Sequence, residues 1–284
     1  MINVMAMIDG SNYSQSVCDH AAWVANISNG AVEIMHVIGR DNVSSEPENL
    51  SGNIGLGARS ALLDELAELD AQRARLAQKR GRVILEDAKM RVIAAGVENV
   101  TTRLRLGEIV EAVVDFEAAA EMIVIGKRGQ AAKFDMLHLG SNLERVVRSS
   151  HRPVLVASRA FKPIERVLIA FDGGPSVLKA IALIAQNKLF SDLKCELLSV
   201  GQATAESTGQ LEQAAAVLSE AGYDVQIKQE QGQPEVVISR EVETCNYDLL
   251  VMGAFGHSRI RQLIIGSTTT EMIRSCKIPL LLFR

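Results

Sequence analysis

The chain is poor in cysteine: 4 thiols in 284 residues, at Cys18, Cys195, Cys245 and Cys276. None of them form a C-x-x-C pair, and no histidine cluster lies near them. Tetrahedral zinc sites draw on close ligand pairs, so this spacing argues against zinc; the thiols read as reduced, partly buried small apolar residues. An excess of basic charge is also missing. The net charge is −4, and a nucleic-acid surface would need a basic stripe. The N-terminal "MINVMAMIDGS" has no basic start, and its apolar run is too short for a signal peptide. No run approaches the roughly 20 apolar residues that cross a bilayer. These absences predict a cytoplasmic protein with no nucleic-acid and no membrane partner. There is no G-x-S-x-G elbow, no G-x4-G-K-[ST] loop and no H-x-x-E-H helix. Nor do the histidines show ligand spacing; His20 and His36 fall in a predicted helix and strand and read as structural. A dedicated enzyme is not expected, because no nucleophile, base and stabiliser are gathered by the sequence.

Enough apolar sequence remains for a full core. Hydrophobic residues make up 48% and charged residues 23%, which is ordinary for a folded globular chain of one large or two modest domains. An internal repeat decides for two. "INVMAMIDGSNYS" from residue 2 matches "ERVLIAFDGGPSV" from residue 165, placing Asp9 on Asp172. "VEIMHVIG" matches "CELLSVGQ" at the same offset, placing Val37 on Val200. Further on, Gly140-Ser141 matches Gly266-Ser267 at a smaller offset. The first copy therefore carries an enlarged segment between its second and third strands.

Short apolar runs alternate with helical spacing in both halves. Such alternation predicts parallel strands covered by helices on both faces. The expected fold is α/β, with two repeated Rossmann-like domains, each a five-stranded parallel-type sheet. Their boundaries are 1–158, with the enlarged helical segment at 40–99, and 165–284, joined by "RAFKPI" at 159–164. The enlarged segment begins as a loop at 41–57 and continues as a helical stretch over 58–96. Gly81 is read as a bend or break in it. Its Leu62, Leu63, Leu66, Leu69 and Leu76 stripe admits two readings: packing on its own sheet, or an exposed partner-binding arm.

In such sheets ligands bind beyond the carboxyl ends of the strands. That edge holds the first-strand Asp9 and Asp172, the second-strand Val37 and Val200, and the loops after the fourth strands. The later loop has Gly253, Gly256 and Gly266, and Gly266-Ser267-Thr268 opens a helix. The first N–H groups of a helix lack internal partners, and with the helix dipole they suit an anion such as phosphate. A carboxylate across the cleft suits a ribose hydroxyl or an adenine amino group. Helix capping and tight turns would explain the same residues without a ligand.

G-x2-G-x9-G-[ST] after the fourth strand, with an Asp closing the first, resembles the universal stress protein family in a tandem form. The resemblance spans nearly the whole chain. It implies binding of ATP, or of AMP or ADP, with Mg²⁺ as a candidate companion. In the second half it implicates Asp172, Val200, Gly253, Gly256, Gly266, Ser267 and Thr268. In the first it implicates Asp9, Val37, Gly126, Gly129, Gly140, Ser141 and Asn142. There the second gap is one residue longer, so the phosphate contacts are expected to differ. Arg128 and His257 flank the second glycines and are the basic side chains best placed for phosphate. The resemblance also implies a regulatory role in the stress response, with an unidentified regulatory partner and at most slow ATP hydrolysis. A scaffold with vestigial sites is the alternative. The last strands, "PVLVAS" and "IPLLLF", are expected to pair within the chain as an internal pseudo-dimer, with homodimerisation through another surface left open.

Overall fold

The computed structural model describes residues 1–39, 56–129, 141–187, 190, 193–254 and 266–284, with 56–61 and 141 described by backbone alone. In the first half β1 (Val4–Ile8), β2 (Val32–Ile38), β3 (Val100–Leu106), β4 (Met122–Gly126) and β5 (Val154–Ala157) alternate with helices. These are α1 (Ser14–Ser28), α2 (Leu56–Ala94), α3 (Ile109–Phe116) and α4 (Ser141–Ser149). The second half runs β6 (Arg166–Ala170), α5 (Pro175–Asn187), β7 (Lys194–Val200), α6 (Ala205–Glu220), β8 (Asp224–Glu230). It ends with α7 (Pro234–Thr244), β9 (Leu249–Gly253), α8 (Ser267–Ser275) and β10 (Leu280–Phe283).

All ten strands form one sheet in the order β3-β2-β1-β4-β5-β10-β9-β6-β7-β8. Within each half every neighbouring pair is parallel. The halves meet through β5 and β10, which are antiparallel with Leu155 opposite Leu281. The pairing of last strands expected from the sequence is thus present. Burial explains the strand sequences. β1 and β5 are buried at every position and are wholly apolar. β3 and β8 lie at the two outer edges and alternate with exposed polar residues, which blunts them against further pairing. One apolar layer joins the sheet to α1, α2, α5 and α6; the other joins it to α3, α4, α7 and α8. Both layers run across the seam between the halves.

Three local expectations change. Helix α2 is continuous for 39 residues, so Gly81 does not break it. A Cβ there would lie 2.7 Å from Leu104 Cδ1 and 3.0 Å from His36 Cδ2. Gly81 is where the helix touches its sheet, and the missing side chain lets it approach. Of the leucine stripe, Leu63, Leu69 and Leu76 are exposed and Leu62 and Leu66 only half-buried; full burial begins at Gly81, Leu85, Ala88 and Val92. Helix α6 starts earlier than its apolar spacing suggests, because Thr204 and Ser207 cap each other's backbone N–H groups at its N-terminus.

Candidate functional site

Each half has a topological switch point. From β1 the chain crosses to β2 on one side, while β4 lies on the other. The carboxyl ends of β1 and β4 therefore part, and a crevice opens there. β6 and β9 repeat the arrangement. Asp9 follows β1 and Gly126 ends β4; Asp172 follows β6 and Gly253 ends β9. Asp9 and Gly126 thus stand at one crevice, and Asp172 and Gly253 at the other.

The two aspartates are held alike. The Ser11 N–H donates to Asp9 Oδ1 at 2.9 Å, and the Gly174 N–H donates to Asp172 Oδ1 at 2.9 Å. Between them stand Gly10 and Gly173, with φ of 77° and 72°, in the left-handed region that glycine enters without strain. The carboxylate is fixed by its own backbone and aimed beyond the strand end. Among the described residues, different groups stand beside the two turns. In the first half Gly129 closes on Asp9: a Cβ at Gly129 would lie 2.8 Å from Asp9 Oδ2. In the second half Gln210, from α6, reaches over the turn, its Oε1 2.6 Å from where a Cβ on Gly173 would stand. Gln210 carries no motif; only the fold brings it beside Asp172.

The glycines that end β4 and β9 have a packing cause. A Cβ on Gly126 would lie 2.7 Å from Tyr13 Cβ, and one on Gly253 would lie 3.1 Å from Ser176 Cβ. Tyr13 and Ser176 occupy matching places in the repeat, at the start of the first helix of each half. Close strand–helix packing requires glycine at Gly126 and favours it at Gly253, so they are not in themselves evidence of a ligand.

Helix α8 begins at Gly266, which has extended ψ and offers no side-chain cap. The Gly266 N–H donates to the Ala254 carbonyl at 3.1 Å, and the Ala254 N–H to the Phe283 carbonyl at 2.8 Å. The Thr269 hydroxyl donates to the Gly253 carbonyl at 3.1 Å. The first turn of α8 is therefore clasped to the end of β9, with Thr269 buried. Thr268 turns its hydroxyl toward Glu235 Oε2 at 3.5 Å, and Ser267 is exposed. The first half lacks this hydroxyl: Leu143 stands where Thr269 does and is buried in the core, beside exposed Asn142. No motif marks Thr269, because its value is its contact; only the inward-facing third position of the helix hints at it.

Val37 and Val200 are half-buried at the ends of β2 and β7. Beside Val200 an open groove of about 340 Å³ is lined by Gly201, Gln202, Gln231 and Gly232. The Gly-Gln pairs that follow β7 and β8 are its sequence signal. Arg128 is half-buried in the loop after β4. Its neighbour Lys127 donates from Nζ to the Cys276 carbonyl at 2.6 Å. Burial lowers the Lys127 pKa, and the carbonyl it meets closes the C-terminal end of α8, where a cation is favoured. Lys127 is thus engaged with the other half. His20 and His36 are structural as expected: each ring Nδ1 pairs with a backbone carbonyl, of Ser16 at 2.7 Å and of Ile8 at 2.8 Å. Gly140, Gly256, His257 and the Ser141 side chain lie outside the described residues, as does the segment 40–55. Among the described residues no helix is long and apolar enough to cross a membrane.

A doubled Rossmann-like sheet with an acid and a helix N-terminus at each switch point defines a tandem α/β protein. The universal stress protein family model matches residues 1–158 and 163–284, and the chain belongs to that family. It is 37% identical over 287 residues to universal stress protein Slr1230 of Synechocystis, covering 100% of both chains. A universal stress protein of Mycolicibacterium smegmatis is 23% identical over 304 residues, covering 99% of this chain and 96% of the relative. Among solved structures, a universal stress protein from Archaeoglobus fulgidus superposes with a TM-score of 0.72 at 20% identity, covering 99% of this chain and 95% of that one.

Proposed function

We propose that this chain is a regulatory stress-response protein that binds an adenine nucleotide at the carboxyl edge of its second half. The observation that carries the proposal is the joint placement of Asp172 and the α8 N-terminus at one switch point. The residues fit such a ligand. The first N–H groups of α8, left without a side-chain cap at Gly266, suit phosphate oxygens. Asp172 is oriented by its turn for a ribose hydroxyl or an adenine amino group, and Val200 offers an apolar edge for the base. ATP, AMP and ADP share these groups. Any Mg²⁺ would rest mainly on the phosphates, since no group of three His, Cys, Asp or Glu among the described residues could hold a metal ion. Occupancy would alter partner binding only through differential affinity for two states.

The second reading, a scaffold with a vestigial site, is favoured for the first half by the approach of Gly129 to Asp9. Two titrations of ATP followed by calorimetry separate these readings. Asp172→Asn keeps the oxygen that accepts from the Gly174 N–H but removes the charge. Losing a hydrogen bond to a charged group costs about 1.5–3 kcal/mol, so affinity should fall roughly 10- to 150-fold. Asp9→Asn should leave it unchanged. Wild-type protein that shows no binding at millimolar ATP would falsify the proposal. Steady turnover lost with Asp172→Asn would make the chain a weak ATPase.

A further inference from the structure

Among the described residues, helix α2 has fully buried side chains only in its C-terminal half. Gly81, Leu85, Ala88 and Val92 recur every three or four positions and are buried. No described side chain in 62–80 is buried. At 1.5 Å per residue that stretch runs for about 28 Å before the first buried position. In proteins most helical stability comes from packing of an apolar face rather than from propensity.

Its apolar residues are ordered. Leu62, Leu69, Leu76 and Val83 recur every seventh position, and the last three are 45%, 68% and 64% exposed. A seven-residue apolar period keeps one seam against a second helix when the two supercoil. Charge divides along the same helix. Residues 62–72 hold Asp64, Glu65, Glu68 and Asp70 with no basic residue; residues 73–82 hold Arg73, Arg75, Lys79, Arg80 and Arg82 with no acid. Two copies side by side in parallel would set like charges together. Antiparallel, each acidic block meets the other's basic block. The same register matches the seam, with Leu62 opposite Val83 and Leu69 opposite Leu76. It also sets Glu65 opposite Arg80, both flanking the seam.

We propose that residues 62–83 form an antiparallel helix pair with a second copy of this chain, across a two-fold axis near Gln72 and Arg73. The division of charge selects this occupant: a partner of uniform charge would match one block and repel the other. From Leu69 onward the seam has one apolar residue per heptad where strong coiled coils have two. Charge therefore contributes much of the attraction, and the contact weakens with salt.

Sedimentation of the full chain tests this. Wild type should dimerise at low salt, with a dissociation constant that rises at least about tenfold on going to roughly 0.5 M salt. Glu65→Arg with Glu68→Arg makes the arm net basic, and Arg75→Glu with Arg80→Glu makes it net acidic. Each double variant alone should be monomeric, and their equimolar mixture should dimerise. These side chains are exposed, so circular dichroism should show an intact fold. Gln72→Cys should cross-link to itself through a short bis-maleimide. A wild type that stays monomeric at high concentration and low salt overturns the proposal and leaves the arm to a different partner. A dimer indifferent to both charge reversals overturns it in favour of another surface.

Discussion

Replacing Thr269 with Val should loosen the second crevice without disturbing the core around it. The two side chains have nearly the same volume, and both are β-branched, so packing is preserved. What is lost is the hydroxyl that donates to the Gly253 carbonyl at 3.1 Å from a buried position. A neutral hydrogen bond is worth about 0.5–1.5 kcal/mol net, and an acceptor left buried without its donor costs about 1–3 kcal/mol. Gly253 ends its strand at a partly open edge, so a loss near 1.5 kcal/mol is reasonable, between those limits. At about 2–4 °C per kcal/mol for a chain of this size, Tm should fall by about 3–6 °C. Such a protein is still folded at 25 °C, so stability alone would leave nucleotide affinity unchanged. Affinity should nevertheless drop, because the hydroxyl fixes the first turn of α8 against β9. Thr269→Ser keeps the donor and should stay near wild type in both measurements. Differential scanning calorimetry with ATP titration provides the readouts. A Val variant within about 1 °C of wild type would refute the energetic argument. A normal affinity beside a lowered Tm would refute the functional one.

Two further outcomes are expected. Glu117 is buried and accepts from the Ser150 hydroxyl at 2.7 Å, the His151 N–H at 3.0 Å and His151 Nδ1 at 2.8 Å. Burial raises its pKa, but the hydrogen bonds from His151 and Ser150 prevail and hold it below the ordinary 4.5. A depressed folded-state value stabilises the fold above the ordinary pKa, and that contribution disappears as pH falls through the folded value. Glu117→Gln should therefore lower the urea midpoint at neutral pH and flatten its acid-side decline; midpoints that track wild type at every pH would contradict this. Burial pushes the Cys18 and Cys195 thiols up to about 12, and raises that of Cys276 as well. An aromatic disulfide reagent near neutral pH should therefore modify Cys245 first in the native chain and all four thiols in urea. Rapid native labelling of Cys18 or Cys195 would show that these sites open.

The central strands could be read from the sequence because a strand buried on both faces must be a continuous apolar run, as "VMAMI" and "VLVA" are. Helix α1 was equally legible: Val17, Ala21, Val24 and Ala25 mark the inward face, and all are buried. The crevices followed from the repeat, since Asp9 and Asp172 hold the same place after the first strand. What stayed hidden depends on neighbours distant in sequence. Gly81 looks like a helix breaker locally, yet its cause lies on the sheet in Leu104 and His36. The cap of α6 uses Ser207 where a Glu or Gln is the familiar signal. Gln210 and Thr269 acquire their places only when α6 folds over the Asp172 turn and α8 meets β9. The leucine stripe gave its period plainly, but whether a sheet lay beneath it depended on where α2 crosses the edge.

The antiparallel seam between β5 and β10 has a consequence for the two crevices. Strands of each half run with their own last strand, so the carboxyl edge of one half lies beside the amino edge of the other. The crevices therefore open at opposite edges of one sheet and cannot share a ligand. They are still linked across the seam. Lys127, next to Gly126 in the first crevice, donates to the Cys276 carbonyl that closes α8, and α8 begins in the second crevice. In return Arg284, following β10 at the second half's carboxyl edge, donates from Nη1 to the Arg148 carbonyl near the end of α4 at 2.8 Å. Helix α4 begins at the first half's carboxyl edge. Each half thus sets a cation on the negative end of the other's helix. The contact is near-symmetric, while the described residues of the crevices differ, with Thr269 in one where Leu143 stands in the other. Duplication kept the joint and let the two edges diverge, as expected where the joint serves both halves and each edge serves only itself.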